Sequence, residues 1–166
     1  MVANMVKTRF LASFVALSII ALACIGCSSL RNATNRGGLE EDVKALCQER
    51  AKVNLYKASC HMVGTTRAGI CEFKALPQDI NAIANSLDMS EIKSDKTLKY
   101  ANTYGYDIKS SKLGGLFSQG KDVRAYGIFG RPAKLKLKNG SAFEYMILFY
   151  EPATNEASLE TCYSYG

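Results

Sequence analysis

Around Lys93 the apolar pattern of this chain changes its period, and that change limits the folds open to it. Ahead of Lys93 the spacing is helical. From Leu39 to about Ser59, Val43, Leu46, Cys47, Val53 and Tyr56 recur near the helical period, with Glu40, Glu41 and Asp42 in the first turn and Lys57 near the far end. A second helix is expected after Leu76, where Pro77 suits a first turn and Ile80, Ile83, Ala84 and Leu87 form one stripe. Between them Cys60 to Phe73, with Gly64 and Gly69, reads as a loop or small hairpin. Beyond Lys93 the pattern alternates. Leu98 to Ile108 places Tyr100, Asn102, Tyr104, Tyr106 and Ile108 on one face, and Val123 to Phe129 and Leu159 to Tyr165 alternate in the same way. No interval holds a long crossover helix, so the strands should pair antiparallel. Ser110 to Lys121, with Gly114-Gly115 and Gly120, is expected to be the most flexible connection.

Asn139-Gly140 is the preferred dipeptide of a two-residue type I′ hairpin turn. Counting outwards from it, Lys138 faces Ser141 and Leu137 faces Ala142. Ala133, Leu135, Leu137, Ala142, Met146 and Leu148 then form the core face, opposite Lys134, Lys136, Lys138, Phe143 and Tyr145; a bulge would change these pairings. The fold expected is α+β: two N-terminal helices packed on a curved antiparallel sheet of four to five strands, stapled by disulfides, in a single domain over residues 39–166.

The first 26 residues are set apart from that domain. Lys7 and Arg9 precede Phe10 to Ile25, an uncharged, mostly apolar run that is short of the roughly twenty residues needed to span a bilayer and suits a signal-peptide core. Residues 27–38 would be a short polar tether.

Ile25-Gly26-Cys27 resembles the end of the lipobox of bacterial lipoproteins, in which a small residue precedes a cysteine that is diacylated and becomes the first residue of the mature chain. Cys24 stands three before Cys27, where the pattern prefers Leu, and a cut before Cys24 would follow Ala23. The resemblance implies lipidation at Cys27, and Ser28 behind it implies retention at the outer membrane, facing the periplasm. It covers the leader alone.

Loss of Cys24 and acylation of Cys27 leave Cys47, Cys60, Cys71 and Cys162, an even set suited to two disulfides in an oxidising compartment. One helix holding Cys47 and Cys60 would separate them by about 20 Å, so that pair is disfavoured. Cys60-Cys71 closes a local loop and leaves Cys47-Cys162 to tie the first helix to the last strand. The third pairing scheme stays open.

Of 21 Lys and Arg, Lys7 and Arg9 leave with the leader, so 19 face 15 Asp and Glu, a net +4 rather than +6. The cations cluster nonetheless. Arg131, Lys134, Lys136 and Lys138, facing Phe143 and Tyr145, form the first candidate binding surface, suited to an envelope protein or an anionic glycan. Tyr100 and Tyr104 form a second, as the lining of a concave pocket. The bland alternatives are a wetted outer strand face and tyrosines at a core margin.

One histidine, His61, makes no common zinc set, and the mature domain has no Cys-x-x-Cys, phosphate loop or nucleophile elbow. No catalytic residue, metal or cofactor is expected, and nucleic acid is an improbable partner for an exported chain. The reading is a membrane-tethered envelope lipoprotein that binds another envelope component; the competing class is a small envelope hydrolase or an inhibitor of one. Intact-mass spectrometry of the membrane fraction should find a diacylglyceryl group on Cys27 as the first residue. Cys27→Ala should abolish that adduct and release the protein from the membrane.

Overall fold

The run Phe143 to Tyr150 is apolar at every position but Glu144, and a strand built from it has no face to give to water. The computed structural model places it accordingly, deep in a sheet covered on both sides. The structure describes residues 38–63, 68–93, 111–130, 132–137 and 142–164. The expected leader, Cys27, most of the tether, the strand 98–108 with Tyr100 and Tyr104, Arg131, Lys138 and the Asn139-Gly140 turn lie outside the described residues.

In chain order the elements are α1 (38–51), β1 (Ser59–Met62), β2 (Ala68–Lys74), α2 (Pro77–Ser86), β3 (Ser90–Glu91), α3 (Lys112–Ser118), β4 (Arg124–Phe129), a 3₁₀ turn (Ala133–Leu135), β5 (Ala142–Glu151) and β6 (Glu156–Ser164). The strands form one six-stranded sheet in the order β1-β2-β6-β5-β4-β3, antiparallel throughout. The architecture is α+β with three helices and six strands, rather than two helices on four or five. Among the described residues no helix is long and apolar enough to cross a membrane.

Alternation along the strands sorts residues to two layers. One face carries Cys71, Phe73, Phe143, Met146, Leu148, Tyr150, Ala157 and Leu159, and on it pack Leu39, Val43, Leu46 and Cys47 of α1 with Ile80 and Ile83 of α2. The other carries Ala125, Tyr145, Ile147, Phe149 and Cys162, covered by Leu113, Leu116 and Phe117 of α3; the Phe117 and Phe149 rings lie 5.8 Å apart.

Helix α1 ends at Ala51, short of the expected Ser59, because Lys52 turns left-handed (φ 60°). The stretch taken for a flexible connection contains α3. Ser111 caps it, its Oγ accepting from the Gly114 amide at 3.0 Å, and Leu113, Leu116 and Phe117 anchor it at helical spacing, outweighing the two glycines.

Two pairings differ from expectation. Lys136, not Leu137, opposes Ala142, and residues 133–135 wind into the 3₁₀ turn, so the lysine strand does not form. Glu144 is a bulge between Phe143, opposite Tyr163, and Tyr145, opposite Cys162, and this sends Phe143 and Tyr145 to opposite faces.

The cysteines divide as well. Cys60 and Cys71 oppose each other in the β1–β2 ladder with Cα atoms 4.1 Å apart and are disulfide-bonded. Cys47 and Cys162 are buried and not joined. Cys47 belongs to the layer of α1, whereas Cys162, one residue past Thr161, points to the α3 side, so the sheet lies between two sulfurs that a disulfide would need within bonding reach.

Helix α1 crosses β2 at Gly69, where an added Cβ would clash with Cδ2 of the buried Leu39. Gly69→Ala should therefore destabilise the fold by about 1–3 kcal/mol in chemical denaturation. Combined with Leu39→Ala it should cost less than the sum of the two single changes, because both act on one contact.

Candidate functional site

On the α3 side of the sheet, the end formed by β1, β2 and β6 is polar. Directly opposed residues of an antiparallel pair share a face, so the pairs Glu72 with Ser158 and Lys74 with Glu156 place four polar side chains there. They floor a cleft of about 600 Å³, walled by Lys112 and Leu113 of α3 on one side and by Tyr56 and Lys57 of the α1–β1 connection on the other. That volume lies within the range of small-ligand sites. Lys112 Nζ reaches Glu156 Oε2 at 2.6 Å, tying the start of α3 to the start of β6, and this neighbour holds the lysine's pKa above its ordinary value.

Beneath the cleft lies a group the sheet does not satisfy. Ser158 is 1% exposed and its Oγ has no hydrogen-bond partner among the described residues. Two residues on, Glu160 is 0% exposed. The Ser111 hydroxyl donates to its Oε1, while Oε2 is unpartnered among the described residues. Burial, and then the charge of Glu72 diagonally across the β2–β6 ladder, hold the Glu160 carboxyl well above the usual value of 4.5. The arrangement sets a carboxyl that favours its neutral form beside the exposed carboxylate of Glu72 and a serine hydroxyl able both to donate and to accept. Such a set can take hydroxyl or amide groups from a ligand. Among the described residues no cluster of three or more metal-ligating side chains exists, and His61 sits half-buried on β1 opposite Ile70.

The lysine-aromatic surface expected from the hairpin does not assemble. Phe143 and Tyr145 are 0% and 1% exposed on opposite faces, and burial raises the Tyr145 hydroxyl's pKa. Lys134 pairs with Asp88 at 2.5 Å, an exposed contact of small energetic weight. Lys136 instead borders a shallow cleft with Glu49, Arg50, Lys52 and Leu137. Arg131, Lys138, Tyr100 and Tyr104 are outside the described residues.

Sequence reading passed over Tyr56, Glu72, Ser111, Ser158 and Glu160. Ser158 and Glu160 alternate with Leu159 and Thr161 and read as a solvent face; the clue to their burial was the Leu113, Leu116, Phe117 stripe, hidden by Gly114-Gly115. Comparisons with protein-family models, curated proteins and solved structures found no match to this chain.

A carboxyl with a raised folded pKa binds its proton in the native state at pH values where the unfolded chain has released it, so its presence costs stability as pH rises through that window. Glu160→Gln keeps the acceptor for Ser111 and cannot ionise. Thermal melts of the variant and the parent should coincide near about pH 4, with the variant's advantage growing from there towards neutrality.

Proposed function

We propose that this protein is a lipid-anchored binding module of the bacterial cell envelope, held at the outer membrane through Cys27 and facing the periplasm, and that the cleft over β2 and β6 takes an anionic glycan. The observation that carries the reading is the Ser158 hydroxyl, which lines the cleft floor with no hydrogen-bond partner among the described residues. An unsatisfied buried hydroxyl lowers stability by about 1–3 kcal/mol, and a ligand hydroxyl reaching Ser158 would remove that penalty on binding. Glu72 beside it accepts from sugar hydroxyls, and Lys57 and Lys74 at the margin suit acidic substituents.

The size of the cleft favours this partner over a protein. A stable protein interface buries about 800 Å² on each side, whereas a cleft of this volume admits one or two sugar rings. The reading as a small hydrolase or an inhibitor draws on the two carboxyls, Glu72 and Glu160. Glu160, unlike Ser158, does not line the cleft and is bonded to Ser111, so it lacks the access a general acid needs.

Co-sedimentation of the full-length protein with purified envelope glycan tests the proposal. Ser158→Ala should leave the melting temperature equal or higher while weakening glycan binding about tenfold, and Glu72→Gln should weaken binding without unfolding. A Ser158→Ala protein that melts earlier and binds unchanged would remove the basis of this assignment.

A further inference from the structure

Only two large hydrophobic side chains among the described residues are left exposed, Tyr56 at 77% and Leu76 at 50%. They come from the α1–β1 and β2–α2 connections, far apart in sequence, yet border the same open cleft of about 550 Å³ beside the functional one. No residue of α3 lines it.

The charged residues lining this cleft are two lysines and one acid. Lys52 and Lys74 line the same cleft, and Lys57 follows Tyr56 directly. None of the three is in an ion pair among the described residues; Lys52 Nζ donates to the Glu49 carbonyl at 3.1 Å. The acid in the lining, Asp79, caps α2, its Oδ2 accepting from the Leu76 amide at 3.3 Å. The backbone that presents Tyr56 is itself unusual. Lys52 and Lys57, at either end of the connection, are both left-handed, at φ 60° and 54°, a conformation ordinarily left to glycine or asparagine. Conformations of this kind are retained where the surroundings or a function require them.

A tyrosine and a leucine flanked by three lysines is the composition of a surface that enters a membrane interface: the apolar groups reach the acyl boundary and the ammonium groups meet phosphates. We infer that the Tyr56–Leu76 edge docks on an anionic lipid bilayer. Charge complementarity selects this occupant, since two side chains offer a protein partner too little area for a stable interface. The edge shares Tyr56, Lys57 and Lys74 with the glycan cleft, but the vesicle measurement contains no glycan and needs no lipid on Cys27, so each reading can fail alone.

The chain has no tryptophan, which makes a single introduced indole a clean reporter. Tyr56→Trp and, at the opposite edge of the sheet, Glu91→Trp are made in the full-length protein carrying Cys27→Ala, which cannot take an acyl anchor, and mixed with vesicles containing phosphatidylglycerol and brominated lipid. Both positions are exposed, so neither change burdens the core. The indole at 56 should shift to the blue and be quenched, while that at 91 should not. The effect should be lost in vesicles of phosphatidylcholine alone, in high salt, and in Lys52→Glu/Lys57→Glu/Lys74→Glu. An unquenched indole at 56, or equal quenching at both positions, would overturn the proposal. So would quenching that survives in neutral vesicles, which would point to a contact the lysines do not govern.

Discussion

Everything in this fold answers to β5. A central strand with apolar residues on both faces needs a layer of cover on each side, and the chain supplies them unequally. The side of α1 and α2 has two helices of 14 and 10 residues and the larger cluster of buried side chains. The side of α3 has a helix of seven residues and a smaller cluster. Among the described residues α3 serves Ile147 and Phe149, and the polar ends of β2 and β6 lie past it. The cleft is therefore what remains when a short helix covers a wide sheet.

That inequality places a carboxyl in a setting that opposes its charge. Glu160 lies on the α3 face where Leu113 and Phe149 take up apolar area nearby, and its bond to Ser111 fastens it to the cap of the helix above. The contact joins the stability of α3 to the ionisation of the strand beneath it. Ser111 serves both purposes through one oxygen, donating to Glu160 and accepting from Gly114. A serine in that position is thus fixed by its helix and by the sheet together.

Much of the architecture was legible because periodicity reports burial. The helix after Pro77 and the strands around Val123 and Leu159 follow from spacing alone, and the local Cys60–Cys71 bridge was among the pairings that spacing left open. Other features depend on facts that spacing does not contain. The hairpin count assumed a two-residue turn and an unbulged strand, but Lys136 rather than Leu137 opposes Ala142, and one extra residue at Glu144 redirected Phe143 away from Tyr145. The lysines then had no aromatic face to border. The second disulfide failed for a related reason: residue 162 falls on the wrong parity of β6 to meet a helix on the far side. The polar cleft was unreadable because its members come from four separate stretches, each of which looks like ordinary solvated strand or loop.

The position of the bridge bears on how the chain reaches this state. Cys60 and Cys71 are 11 residues apart, so of the pairings open to the four cysteines theirs closes the shortest loop and carries the smallest entropic cost. Its formation in a still unfolded chain would set the β1–β2 register directly, since the two half-cystines are ladder partners. The thiols left over then diverge, Cys47 into one layer and Cys162 into the other, and burial pushes Cys47 up to about 12, where little nucleophilic thiolate exists. With one thiol inert and the sheet between the other and the bridge, neither free thiol among the described residues has a route to the Cys60–Cys71 bond.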